Sequence, residues 1–313
     1  ISRQERSKMQ VSKVKFYPPY NLYYGHAAGK PDIGVQQGTS SDGTAISIGG
    51  QCNDVADGRR SAKLTIDTSG EADDATIDLT SADTVSNIDA ANWDFFIIDN
   101  HNLDTATAGG SAIEIRSGDL SGAGDLVGLS SAVSGTLGSA TAACAVGSNI
   151  ITDPIADGIT VMTTTSSNAS SIYRRLHLDR ASTSNYAADI TIGEITMGKK
   201  FTAPFRPDLG VSYDSQYSGV KVNRSQGGQA YSTKRYGRMR SWSLNFNLLD
   251  ATAKTNFEVF FDIVEGVRLP FHFSLDSDSA TPTFYYGRLS SAPSVKEVAL
   301  ERYSVKIQIS EEL

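Results

Sequence analysis

The sequence predicts a mainly β protein, a jelly-roll β-sandwich followed by a smaller β-rich domain with one amphipathic helix. Three observations lead there. From about residue 34 to 197, short apolar islands are separated by clusters of Gly, Ser, Thr and Asp, and several alternate with period two, as half-buried antiparallel strands do. One segment, 250–264, carries its apolar residues at helical spacing instead. At 313 residues the chain exceeds one typical domain, and its 39% hydrophobic content suits many short strands and exposed loops, or a chain that finishes burying its surface in an assembly.

Charge divides the chain more sharply than composition does. The net charge of -7 is the sum of unequal parts. Residues 1–30 carry six Lys/Arg against one acid, residues 31–195 seven against twenty-two, and residues 196–313 fifteen against twelve. An acidic middle between a basic start and a mildly basic end implies different neighbours for each part.

Residues 1–33 read as an extended N-terminal arm. Val11, Val14 and Phe16 give weak apolar spacing, and Tyr17-Pro18-Pro19-Tyr20 then enforces extended backbone. With Tyr23 and Tyr24 following, the arm suits packing against another surface, either of its own chain or of a neighbouring subunit. Its first eight residues lack the apolar stretch of a signal peptide.

The sandwich is expected over 34–197. Its islands are Ala45–Ile48, Ala62–Ile66, Ala75–Leu79, Trp93–Ile98, Ala112–Ile115, Ile159–Met162, Tyr173–Leu178 and Ile190–Ile195. The densest, Trp93–Ile98, has the length and aromatic content of a buried strand, and it runs out into Asp99-Asn100-His101-Asn102. The stretch Ser117–Ser148 is nearly low-complexity and is expected to be a surface excursion with little core.

Residues 198–313 form the second predicted domain. Phe201–Asp208 reads as a loop or linker with two prolines, and residues 199–240 hold nine Lys/Arg against only Asp208 and Asp214. Val220–Gly228 reads as a strand entering a turn. Arg240–Leu248 alternates so that Trp242, Leu244, Phe246 and Leu248 share one face. Asp250 is placed to N-cap the helix, whose Phe257, Phe260, Phe261 and Val264 fall on one side, and Gly266 to end it. Strands are expected at Leu269–Leu275, Thr283–Leu289 and Tyr303–Ile309.

Two resemblances follow from these residues. The run Trp93–Leu103, with Tyr173–Leu178 and Ile190–Met197, is similar to the strands of galectin-like or discoidin-like jelly-roll modules. There an asparagine-rich turn follows a central strand, and a pair like "RRLHL" and "ITIGEI" closes the sandwich. The later text, with "WSLNFNLL", a Phe-rich helix, "LPFHFSLD", "TFYYGRL" and a terminal "YSVKIQISEE", resembles tail proteins of long-tailed bacteriophages. The stretch from "IGEITMGKKFTAPFRPDLGVSYD" to "GVKVNRSQGGQAYS" resembles minor tail proteins of the same setting. Distal tail proteins of such phages join a ring-forming β domain to a galectin-like module; here the sandwich comes first.

The resemblance implies a structural virion protein: a homo-oligomeric ring, hexameric in such phages, at the distal end of the tail. It would join the tail tube to the tip or baseplate beside the hub and tape measure, and would be made in the cytoplasm of the bacterial host. The alternative is a carbohydrate-binding module attaching to glycans of the host surface. For the latter, Asn100, His101 and Asn102 are the candidate sugar-binding residues, with Trp93 as an apolar partner. The same residues are also placed to satisfy a turn's own backbone. Lys221, Arg224, Lys234, Arg235, Arg238 and Arg240 are the expected ring-interface or lumen residues, meeting an acidic neighbour.

The chain is not expected to be an enzyme. His26, His101, His177 and His272 sit on separate elements, and no nucleophile elbow, His-Glu-x-x-His or phosphate-binding glycine loop is present. No cofactor is implied. The acid-rich stretches Asp54–Asp57 and Glu71–Asp74 carry oxygen ligands of the kind calcium takes but lack EF-hand spacing, and solvated loops are the simpler reading. Cys52 and Cys144 show no metal-ligand spacing and are too few for a disulfide framework, though they are free to pair. No apolar run approaches the roughly 20 residues of a membrane span.

Overall fold

The structure, a computed structural model, describes residues 13–19, 33–34, 48–49, 63–66, 75–80, 93–103, 112–118, 127–128, 133–137, 140–143, 150–152, 158–168, 173–179, 187–208, 211–217, 221–224, 230–233, 238–277 and 283–312. It is mainly β, with one helix among the described elements, as the sequence predicts. The chain forms two units. One joins Ile1–Phe16 to Phe201–Leu313, and the other is Tyr17–Lys200. The expected boundary between 197 and 198 thus moves by three residues. The expected arm divides, its first part belonging with the C-terminal residues.

The reason for that division is packing. Lys15–Tyr17 is a strand paired antiparallel to Phe201–Thr202, with Phe16 opposite Phe201, and the Ala203 N–H donates to the Val14 carbonyl at 2.9 Å. Val14 and Phe16 are buried. Phe16 stacks on Phe201 and packs on Phe260 with ring centres 4.9 Å apart. Phe201–Asp208, expected to be a linker, therefore begins as a strand of the core.

This unit is built on an eight-stranded sheet. Its strands run in the order Phe201–Thr202, Lys15–Tyr17, Phe271–Ser274, Phe284–Leu289, Arg302–Glu311, Arg238–Leu249, Ser212–Tyr217, and Ser294–Ala299 also pairs with Arg302–Glu311. Trp242, Leu244 and Phe246 stand directly opposite Ile309, Ile307 and Val305, all six buried, so one face of two adjacent strands is wholly apolar. The helix Ala251–Ile263 is laid into the same core by Ala253, Phe257, Phe260 and Phe261. Asp250 caps it as expected, its Oδ1 accepting from the Ala253 N–H at 2.7 Å. Glu265 and Gly266 end it in the left-handed region, at φ 49° and 62°, and the Gly266 N–H closes on the Phe261 carbonyl at 3.0 Å.

The expected strands at 269–275, 283–289 and 303–309 are present as Phe271–Ser274, Phe284–Leu289 and Arg302–Glu311. Ser294–Ala299 was not anticipated, because a largely exposed edge strand has no apolar face to advertise. Val220–Gly228 becomes Lys221–Arg224 paired with Ala230–Thr233, a two-stranded ladder outside the large sheet.

In the Tyr17–Lys200 unit every pairing between the described strands is antiparallel. One sheet orders Ala140–Ala143, Val133–Leu137, Gly158–Asn168, Trp93–His101 and Glu194–Gly198. A second orders Ile150–Thr152, Ala112–Gly118, Tyr173–Asp179, Ala75–Thr80 and Ile33–Gly34, with Val127–Gly128 beside Ala112–Gly118. A third holds Ile190–Ile192, Leu64–Ile66 and Ile48–Gly49. Two expectations are corrected. The Ser117–Ser148 stretch contains the strands Val133–Leu137 and Ala140–Ala143, in which Val133 and Leu137 stand among Ser, Thr, Ala and Gly and the apolar alternation is too weak to read. The "RRLHL" and "ITIGEI" strands also do not pair with each other, since Gly193 breaks the latter into pieces that serve two different sheets.

Gly287 shows how tightly the large sheet closes. A Cβ there would lie 2.6 Å from the Ser310 carbonyl oxygen, a backbone atom, and 3.0 Å from the buried Ile309 side chain. Gly287→Ala is therefore expected to lower unfolding free energy by about 1–3 kcal/mol in denaturant titration. Gly266→Ala, with open space but positive φ, should cost only about 1 kcal/mol. Equal effects would show that the strand pair relaxes around the extra methyl.

Candidate interaction surface

The expected sugar-binding triplet lies at the end of the central strand, and its geometry is set by a bulge. Asp99 pairs with Ile159 and His101 with Gly158, so Asn100 is an extra residue on its strand. Asn100 sits at φ 54°, a conformation asparagine tolerates better than most residues, and its N–H donates to Asp99 Oδ1 at 2.7 Å. Without the bulge His101 would share a face with Asp99. The extra residue turns it to the face of Ile98 and Thr160 instead.

There the imidazole is 4% exposed. Its Nδ1 accepts from the Leu103 N–H at 3.2 Å, so Nε2 carries the proton and donates to Thr160 Oγ1 at 2.9 Å. Asn102 is engaged as fully. Its Oδ1 accepts from the Thr191 N–H at 2.7 Å, its Nδ2 donates to the Asp189 carbonyl at 2.9 Å, and its own N–H donates to the Thr191 carbonyl at 3.3 Å. An amide side chain thus continues a strand-like ladder from the Trp93–His101 strand to Ile190–Ile192, which belongs to a different sheet. The triplet is a joint: His101 meets the local backbone at Leu103, while Asn102 bridges to the distant Asp189 and Thr191 rather than to its own turn. Trp93 pairs with Asn168 at the far end of the same strand.

Beside the joint, Asp99 and Glu194 stand directly opposite each other in register, and both are buried. Glu194 had no signal in the sequence, being one acid inside an apolar run.

The expected ring-interface cations fall into three groups. Arg240 is used within its own sheet: its Nε lies 3.4 Å from Glu311 Oε2, its backbone N–H donates to the same oxygen at 2.9 Å, and its guanidinium lies over the Tyr285 ring at 5.2 Å. Lys221 and Arg224 end the short strand that pairs with Ala230–Thr233, and Arg238 opens the long strand opposite Tyr217. Lys234 and Arg235 lie outside the described residues, as do Cys52, Cys144, His26 and both acid-rich stretches. Of the remaining histidines, His177 pairs with Thr76 and Glu114 within its sheet, and His272 is buried against Tyr286. Among the described residues no three metal-ligating side chains come together, and no helix is long and apolar enough to cross a membrane.

The surface that sequence reading missed is apolar. Strict alternation assigns Leu248 to the core, but the structure corrects this. Phe246 pairs with Val305 and Leu249 with Tyr303, so one residue is extra. Leu249 goes inside, while Leu248 is 62% exposed at φ 58°. For a leucine the left-handed region costs roughly 1–2 kcal/mol. The cause is visible nearby: Leu249 must reach the core immediately before Asp250 caps the helix, and Asp208 holds the bulge open by accepting from the Asn245 and Asn247 side-chain amides.

A second bulge flanks the same tyrosine. Glu297 pairs with Tyr303 and Ala299 with Arg302, which makes Val298 the extra residue, 47% exposed. The turn that follows presents Leu300 at 89% exposure, beside Glu301 at φ 55°. Leu248, Val298 and Leu300 therefore gather at one end of three adjacent strands, each put outward by an irregularity rather than by the pattern. The open edge of Ser294–Ala299 is guarded by exposed Lys296 and Glu297 and by the bulge itself, which disfavours simple strand addition there.

Replacing Asn102 with Ala is expected to cost about 1–3 kcal/mol of stability, since two partly buried hydrogen bonds vanish and the Thr191 N–H loses its acceptor. Asn100→Gly should stay within about 1 kcal/mol, whereas Asn100→Val should cost more because a β-branched residue resists positive φ. Chemical denaturation of the three variants checks this, and an unaffected Asn102→Ala would mean the joint is not held by that amide. Compared with known proteins, the chain matches no protein-family model and no curated protein.

Proposed function

We propose that this chain is a structural subunit of a bacteriophage tail, forming a ring at the distal end that joins the tail tube to the tip or baseplate. Its partners on this reading are further copies of itself and the tube, hub and tape-measure proteins, and its place is the virion. The observation that carries the reading is the end of the large sheet where Leu248, Val298 and Leu300 are exposed together. A left-handed leucine turned to solvent is costly for an isolated chain and becomes useful when a neighbour covers it. The kind of assembly proposed is that of the tail proteins which the sequence of the same domain resembles. A structural role also agrees with a joint in which His101 and Asn102 hold the chain's own backbone. That geometry gives the carbohydrate-binding alternative no support.

The test is the assembly state of the purified full chain, by sedimentation and negative-stain electron microscopy. Closed rings are expected, and a monomer across protein concentrations and buffers would overturn the reading. Leu248→Asp combined with Leu300→Asp is expected to weaken association at least about tenfold, or about 1.4 kcal/mol, with the melting temperature retained. Leu249→Asp should instead unfold the domain, because Leu249 is fully buried.

A further inference from the structure

The chain leaves the edge of the large sheet at Tyr217 and returns to it at Arg238, directly opposite in the ladder. Between these points it makes a ladder of its own, Lys221 opposite Thr233 and Arg224 opposite Ala230, which shares no strand with the eight-stranded sheet. The excursion is thus a hairpin standing on an edge strand. Its chemistry is one-sided: from Ser215 to Leu249 the sequence holds six Lys/Arg and no acid. One of the six, Arg240, is paired with Glu311 inside the sheet; of the others among the described residues, Lys221 and Arg224 belong to the short ladder and Arg238 to its base. The two structural units also differ in sign. Tyr17–Lys200 holds ten Lys/Arg against twenty-two acids, a balance of -12, and Ile1–Phe16 with Phe201–Leu313 holds eighteen against thirteen, a balance of +5.

From this placement we infer that the Lys221–Arg224/Ala230–Thr233 hairpin, with Arg238 at its base, docks on the acidic Tyr17–Lys200 unit of a second copy of this chain. The inference rests on the ring reading and names the two surfaces that meet. Charge complementarity selects the occupant: the chain itself supplies a β unit of strongly opposite sign. A polynucleotide would complement the hairpin with the same sign of charge and enters the experiment as a competitor. A basic patch meeting an acidic patch elsewhere on the molecule is a head-to-tail contact, which closes into a ring where the rotation between copies closes and runs into a filament where it does not.

The experiment compares the full chain with a Lys221→Glu, Arg224→Glu, Arg238→Glu variant, using sedimentation at about 50 mM and about 500 mM NaCl. Circular dichroism and melting temperature serve as the folding control. Expected are wild-type oligomers whose dissociation constant rises about tenfold or more at the higher salt, and a folded variant already weakened about tenfold at low salt with little further salt response. Should the triple variant lose its fold, the salt response of the wild type alone decides. Wild-type oligomers indifferent to both salt and charge reversal would overturn the docking and leave the ring reading standing. A wild type that stays monomeric throughout would overturn both. Single-stranded DNA at equal concentration is the competitor: salt-sensitive DNA binding without self-association would assign the hairpin to a polynucleotide and overturn the proposed occupant.

Discussion

The register between two strands governs the C-terminal unit. Trp242, Leu244 and Phe246 lie opposite Ile309, Ile307 and Val305, and the helix places Phe257 and Phe260 over the face they make. Because these residues are fully or almost fully buried, a shift of one position would turn the whole apolar set to solvent. Much of the surrounding detail answers to that constraint. Phe16 arrives from the far end of the sequence to fill the space beside Phe260 and Phe271. Gly287 has no side chain because the strand carrying Ser310 and Ile309 has to come that close. The ladder fails only where the strand must hand Leu249 inward and begin a helix at the next residue, and the failure takes the form of an outward Leu248.

Bulges are the shared device of the two units, used to opposite ends. At Asn100 the extra residue sits in a conformation its side chain tolerates, and it turns His101 and Asn102 toward groups they bind, so the irregularity is absorbed within the chain. At Leu248 and Val298 the extra residue is aliphatic, its side chain is exposed, and in the case of leucine its backbone is strained. Asparagine at a bulge is an economical answer to a folding problem. Leucine at the same kind of position is a poor one, which is why it points to a requirement beyond folding.

The sequence was legible where one physical pattern dominated. The helix could be bounded because Asp250, the 3.6-residue spacing of its phenylalanines and Gly266 all agree. Trp93–His101 and Arg238–Leu249 were readable from apolar density and alternation. What failed were features that break a pattern or lack one. Leu248 was assigned inward by alternation because a bulge leaves no mark in single-residue spacing. Ser294–Ala299 and Val133–Leu137 are strands by virtue of their neighbours' hydrogen bonds, not of their own apolar faces. The pairing of Arg240 was not legible because its partner, Glu311, lies seventy-one residues away and only the fold brings them together.

The long strand Arg238–Leu249 relates the two surfaces of the C-terminal unit. Its first residue stands at the base of the basic hairpin and its penultimate residue is the exposed leucine, so the two features are separated by nearly the strand's length, roughly 34 Å at about 3.4 Å per residue. On the ring reading proposed above, neighbours are arranged head to tail, and each copy offers a different end to the copy before and the copy after. In such an arrangement the cations set approach and orientation, and burial of the leucines holds the contact once made, a division of work that matches the ordinary roles of charge and apolar surface at interfaces.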